Sequence, residues 1–197
     1  MNSRKTFLFF LFLLCAALSG CVLSLQPLFT DKEQIYDPAL DGVWQIKDSG
    51  RTYTDKGGIF TLRWFPDGKF YFLKTELKDQ PNGGFNAVLG IVGTNRFLQL
   101  APQPPKEIHP KSFYGGHFIQ AYSFWKVQLE KDTLSLSSLD YEWIERMDKE
   151  KKLDLKHEKR GKFIILTAST DELKTFVSKY ADDKSAFSDV LSFERKK

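Results

Sequence analysis

The stretch "FIQAYSFWKVQLE" (118–130) alternates apolar and polar side chains more regularly than any other part of the chain. One face carries Ile119, Ala121, Ser123, Trp125, Val127 and Leu129. Successive side chains of a strand point to opposite sides of a sheet, so this period of two predicts a β-strand with one buried face. The chain must therefore supply partner strands for it.

Further short alternating runs follow one another from residue 42 onward. "PDGK" lies between the runs 59–65 and 69–77, where Pro fixes one turn dihedral and Gly accepts a positive one. Similar pairs of runs flank three further turns, at 94–95, 131–132 and Arg160-Gly161. Strands this numerous and this evenly punctuated predict a mainly β domain, either a barrel or a sandwich.

Two helices interrupt the predicted strands. Ser169 and Glu172 match a capping box at the start of residues 169–183. An apolar stripe at helical spacing follows, formed by Leu173, Phe176, Val177 and Tyr180. The second predicted helix, 140–152, begins at Asp140 and ends in lysines, as the helix dipole favours. A last strand is predicted at 189–196.

"LDGVW" (40–44) opens the first predicted strand, and its Gly42-x-Trp44 resembles the Gly-x-Trp of lipocalins. In that family the Trp plugs the closed end of an eight-stranded barrel beneath a ligand cavity. Lipocalins also follow their eighth strand with a helix and a short strand, as the end of this chain does from residue 162 onward. The resemblance implies an antiparallel lipocalin-like β-barrel with a C-terminal helix packed outside and one further short helix.

The same resemblance suggests roles for two other positions. Arg160 would correspond to the late arginine that stacks on the family's Trp, and Leu139-Asp140-Tyr141 is similar to its Thr-Asp-Tyr. A different β-barrel or a sandwich is the alternative architecture.

The first 21 residues have the layout of a secretory signal. Arg4 and Lys5 precede an apolar run at 7–14, small residues follow, and the uncharged stretch is shorter than the ~20 residues that span a bilayer. The sequence Leu18-Ser19-Gly20-Cys21 resembles the lipobox of bacterial lipoproteins. That resemblance implies cleavage after residue 20, lipidation of Cys21 and a place in the cell envelope. Val22, in place of Asp, implies the outer membrane by the sorting rule of enteric bacteria.

The predicted organisation has three parts: a signal peptide at 1–20, a lipidated tether at 21–40 and a single barrel domain at 41–197. Cys15 lies in the signal and Cys21 carries the lipid, so no thiol remains for a disulfide. The alternative for the tether is that its apolar residues dock on the body: Leu28, Phe29, Ile35 and Tyr36. The formal net charge of +4 falls by two with the signal, which argues against a nucleic-acid partner.

No pattern in the sequence indicates catalysis or a cofactor. The three histidines, His109, His117 and His157, lack the paired spacing of a metal site, and neither a nucleophile elbow nor a phosphate loop is present. Five acidic residues between 140 and 150 fit either a glycosidase carboxylate pair or, more simply, a solvated helix face. The loop 101–117 holds four of the eight prolines and is either a lid or an ordinary connector.

These observations predict a non-enzymatic binding module that holds a small apolar ligand inside a lipid-anchored barrel, with no metal or cofactor. The residues predicted to line its interior are Trp44, Trp64, Ile119, Ala121, Trp125 and Val127. The alternative is a structural or partner-binding envelope lipoprotein whose core is filled, since eighteen Phe residues also suit simple packing.

Overall fold

The computed structural model describes residues 21–48, 57–78, 80–104, 108, 111–113 and 115–196. The predicted signal peptide at 1–20 lies outside them. The strands are β1 (Cys21–Ser24), β2 (Gly42–Asp48), β3 (Ile59–Phe65), β4 (Phe70–Glu76), β5 (Gly83–Val92), β6 (Asn95–Pro102), β7 (Ser123–Glu130), β8 (Thr133–Ser138), β9 (His157–Arg160), β10 (Phe163–Leu166) and β11 (Asp189–Arg195). The helices are α1 (Tyr141–Lys149) and α2 (Thr170–Tyr180), with a short 3-10 turn at Gly115–His117.

Eight of these strands form a closed antiparallel barrel. Strands β2 to β8 pair in chain order, and β11 closes the ring between β8 and β2. The turn at 66–69 joins two of the predicted runs as a hairpin, with Phe65 opposite Phe70. The predicted fold class, a mainly β chain with a lipocalin-like barrel and two helices, is confirmed.

The strand that closes the barrel is not the strand near residue 162 that the lipocalin resemblance implies. Residues 163–166 form β10, which pairs with β9 and runs parallel to β1 in a separate three-stranded sheet. The barrel's eighth strand is β11, after α2, where Leu191 faces Leu136 and Phe193 faces Leu134. Because β1 occupies the edge of β10, that strand is unavailable to the barrel.

Two apolar cores lie on opposite sides of the barrel wall. The inner core is formed by inward residues of the eight strands, among them Trp44, Leu62, Tyr71, Leu98, Leu134 and Phe193. The outer core lies between β5–β7 and a layer made of both helices and the small sheet, and it includes Phe97, Phe124, Trp143, Ile164, Leu173 and Phe176. Strands β5 to β7 are therefore apolar on both faces, as strands covered on both sides are.

Both predicted helices are present and capped as the sequence indicates. Ser169 and Glu172 form the capping box of α2, and the Asp140 side chain accepts a hydrogen bond from the Trp143 backbone N–H, 2.8 Å away, at the start of α1. The Lys126 ammonium, on β7, donates to the Ala181 carbonyl at 2.6 Å and so satisfies the C-terminal end of α2. None of the helices in the described ranges is long and apolar enough to cross a bilayer.

Residues 21–40, expected to be a tether, lie against the body instead. The backbone N–H groups of Leu28 and Phe29 donate to the buried Gln99 side-chain oxygen at 2.6 and 3.0 Å. Phe29 packs directly over Gly90, where any Cβ would come within 2.6 Å of its ring. Of the four residues named in the docking alternative, Leu28 and Phe29 are buried, Ile35 is partly buried against the barrel and Tyr36 is 51% exposed.

Candidate ligand cavity at the open end of the barrel

The pairing of the strands shows that the two ends of the barrel differ in their connections. The tight turns at 66–69, 93–94 and 131–132 lie at one end, together with Trp44, and we call this the closed end. The chain leaves and re-enters the barrel at the other end between β4 and β5 and between β6 and β7, and β8 leads into α1 there. We call this the open end. Side chains at the start of β2 therefore face the closed end, and those at the end of β6 face the open end.

Trp44 seals the closed end. Its side chain is fully buried, its indole N–H donates to the Leu40 carbonyl at 3.0 Å, and the Arg195 guanidinium lies 4.2 Å from its ring centre. This contact is a cation–π interaction. It corrects the assignment to Arg160, which lies in the small sheet beside Glu158 and is exposed.

Gly42 leaves room for that guanidinium. A Cβ at this position would come within 2.4 Å of Arg195 Nη1, and the φ of +153° is one that L side chains rarely adopt. The Gly and the Trp of the Gly42-x-Trp44 motif thus contact the same arginine.

A second set of polar contacts fixes the loop beneath the closed end. The Tyr71 hydroxyl donates to the Asp37 carbonyl at 2.8 Å and accepts from the Asp37 N–H at 2.7 Å. The Asp37 carboxylate also pairs with Arg96 at 2.5 Å. Burial raises the pKa of Tyr71 to about 12, although the hydrogen bond to the Asp37 backbone opposes it.

The open end holds a cavity of about 380 Å³. Inward side chains form its apolar walls: Phe60, Leu73, Phe85, Leu100, Trp125, Leu136 and Leu191. This volume lies within the range of small-molecule sites, and walls of this composition are typical of them. The barrel is thus filled at one end and hollow at the other.

The rim of the cavity is formed partly from outside the barrel. Strand β1 contributes Cys21, Val22 and Leu23, and the start of α1 contributes Tyr141 and Glu142. The Cys21 backbone N–H donates to the Lys162 carbonyl at 3.1 Å. Burial raises the pKa of the half-buried Cys21 thiol; the nearby Lys162 lowers it and Asp189 raises it. The cysteine thus lies at the mouth of the cavity.

The six residues predicted to line the interior fall into three groups. Trp125 lines the cavity. Trp44 and Val127 belong to the inner core and Trp64 packs against it, with the Tyr36 ring tilted over Trp64 at 4.8 Å between ring centres; none of the three lines the cavity. Ile119 and Ala121 precede β7, which begins at Ser123, and Ile119 is 80% exposed.

The prediction for Ile119 and Ala121 was wrong because alternation alone does not say where a strand's partner begins. Pairing with β6 starts at Leu100 opposite Ser123, and residue 122 instead forms an isolated bridge with Ser24. Most residues of the cavity wall, among them Leu136 of β8, were not among the six predicted. Only the register of paired strands separates wall residues near the open end from those near the closed end.

Of the residues considered for chemistry, Asp140 and Glu142 lie at the cavity, and others are held in ion pairs or hydrogen bonds outside it. The Glu145 carboxylate pairs with Lys149 at 2.9 Å and with Lys159, which lowers its pKa. The His157 Nε2 lies 3.3 Å from Asp148, and the His117 Nδ1 lies 2.6 Å from the Phe113 carbonyl. His109 lies outside the described residues. These ion pairs favour the solvated helix face over a glycosidase pair.

Comparisons of the chain with protein-family models, with curated proteins and with solved structures return no match.

Proposed function

We propose that this protein is a lipid-anchored lipoprotein of the bacterial cell envelope, at the outer membrane, whose barrel is a non-enzymatic binding module for a small apolar ligand. The observation that carries the proposal is the apolar cavity of about 380 Å³ at the open end. If the barrel had been selected for stability alone, side chains would be expected to fill this space, because a cavity loses packing contacts.

The position of Cys21 supports the anchor. Its backbone N–H is hydrogen-bonded in the small sheet, and an N-acylated residue retains the single N–H that this bond requires. A free terminal amine would instead carry a charge at this half-buried position. With Cys21 on the rim of the cavity, the ligand would enter from the membrane side.

The test is binding of a fluorescent apolar probe, N-phenylnaphthylamine, to residues 21–197 carrying Cys21→Ser. Every described strand and helix lies within these residues. Ser138 lines the cavity at the end of β8, so Ser138→Phe fills it from the wall without removing an apolar contact. We expect saturable binding by the parent protein and at least about tenfold weaker binding by Ser138→Phe.

Ser135→Phe is the matched control. Ser135 lies on the same strand, three residues away, and is not part of the cavity wall. Equal affinity for the probe in the parent, Ser138→Phe and Ser135→Phe would overturn the cavity assignment. It would favour the structural or partner-binding alternative, because the open end of the barrel would then be packed in the same way as the closed end.

Native mass spectrometry of the protein after mild extraction from cells would then identify the class of ligand. A bound mass that is lost on denaturation would establish a natural occupant.

A further inference from the structure

We infer that the loop between β6 and β7 carries a second membrane contact, in which Phe113, Phe118 and Ile119 insert into the lipid surface beside Cys21. We call these three residues the apolar loop. The inference rests on the proposed lipid anchor for its orientation, but its test does not use the lipid.

The exposure of the apolar loop is the first argument. Phe113 is 89% exposed, Ile119 is 80% exposed and Phe118 is 50% exposed. A single exposed apolar side chain is ordinary in a soluble protein, but a group of large ones marks an interaction surface. The other large apolar side chains exposed in the described residues are spread along the chain and include Ile91 near the closed end.

The second argument is the loop's position. Tyr122 and Ser24 exchange two backbone hydrogen bonds of 2.7 and 2.8 Å, which joins the end of the loop to β1, three residues after Cys21. The next residue, Ser123, already lines the cavity. The apolar loop, the anchor residue and the mouth of the cavity therefore lie at the same end of the barrel.

The third argument concerns the partner. Strand β1 begins at Cys21 and is paired along its length with β10, so the lipid would be attached with no flexible tether between it and the body. Surfaces beside Cys21 must then lie against the bilayer. Exposed Phe and Ile side chains fit the interfacial region of a membrane, and a second contact strengthens a lipid anchor. A protein partner would have to compete with the bilayer for the same surface.

The experiment measures binding of residues 21–197 carrying Cys21→Ser to phosphatidylcholine vesicles, by co-sedimentation at low and high salt. The variant Phe113→Ser/Ile119→Ser removes the two most exposed side chains, and Ile91→Ser is the matched control at the opposite end. We expect about tenfold weaker partitioning for each inserted side chain removed, no change for Ile91→Ser, and no dependence on salt.

A site-specific readout keeps the result independent of small changes in affinity. Gly116 lies between the loop's apolar residues and faces open space, and Cys21→Ser leaves Gly116→Cys as the single thiol of residues 21–197. An environment-sensitive fluorophore there should brighten when vesicles are added, whereas the same label at Ile91→Cys should not.

Absence of vesicle binding by the parent, binding that disappears at high salt, or equal loss in Ile91→Ser would overturn the inference. None of these results affects the proposed function, because binding of the apolar probe in the cavity is measured separately.

Discussion

Trp44 and Trp125 both point into the barrel, yet their surroundings differ. Trp44 is fully buried, donates to the Leu40 carbonyl and lies under the Arg195 guanidinium. Trp125 is nearly as buried, but one side of it borders the cavity and its indole N–H donates to Ser123, 3.1 Å away. The same residue type thus closes one end of the barrel and lines the cavity at the other.

The difference teaches where the stability and the function of this barrel reside. The closed end combines close packing with paired polar groups at Tyr71, Asp37 and Arg96, which holds the strands in one register. The open end gives up packing contacts around the cavity, and its rim is built from segments outside the barrel. We therefore expect matched substitutions at the two ends to differ in cost.

Replacing each tryptophan by alanine gives the largest expected effect. Trp44→Ala should lower the free energy of unfolding by about 3–5 kcal/mol, because the buried site cannot collapse around the missing ring. Trp125→Ala should cost at least about 1 kcal/mol less, because one side of that ring borders the cavity. Urea denaturation of both variants measures the difference, and equal costs would remove the distinction between the ends.

Small-to-large substitutions should also cost less at the cavity than at a closely packed site. Ala87 is fully buried between Tyr71 and Leu100 on the neighbouring strands, so Ala87→Leu should cost about 1–3 kcal/mol by overpacking. Ser138→Leu enters the cavity and should leave stability unchanged or raise it by up to about 1 kcal/mol. Thermal unfolding followed by circular dichroism compares the two, and a larger loss in Ser138→Leu would mean that the cavity is filled in solution.

The sequence predicts the barrel well because alternation, turn residues and capping are local signals. The β3–β4 hairpin, the Asp140 cap of α1 and the Ser169–Glu172 capping box all follow from residues a few positions apart. Closure of the barrel by β11, the pairing of β1 with β10 and the Arg195–Trp44 contact join residues far apart in the chain. No local pattern encodes them, so Arg160 was assigned in place of Arg195.

The candidate site was harder to predict than the fold for a related reason. A cavity wall is formed by residues from several strands that lie at the same level along the barrel axis. Only the register of the paired strands brings Leu73, Leu100 and Leu191 together. Trp125, one of the residues predicted for the barrel interior, lies on the cavity wall, whereas the predicted strand extended to Ile119, which is exposed in the loop.

The Gly42–Arg195 contact allows a sharper test of the closed end. Gly42→Ala should cost about 1–3 kcal/mol, because the new methyl group would displace the guanidinium from Trp44 and the backbone would stay in an unfavourable conformation. Gly116→Ala, in open space near the other end, is the matched control and should be neutral. If both variants unfold at the same denaturant concentration, Arg195 does not contribute to the seal.

Tyr71→Phe gives the smallest effect and adds a pH dependence. The variant loses both hydrogen bonds to the Asp37 backbone and should be about 1–2 kcal/mol less stable at neutral pH.

The pKa of Tyr71 is raised from 10.0 to about 12 by burial, so the folded state favours the protonated hydroxyl. This contribution is fully present below pH 10 and is lost as the pH rises towards 12. The stability difference between the parent and Tyr71→Phe should therefore shrink across that interval, which urea titrations at several alkaline pH values would measure. A parent and a Tyr71→Phe variant that lose stability in parallel above pH 10 would mean that the Tyr71 hydroxyl is not held at the closed end.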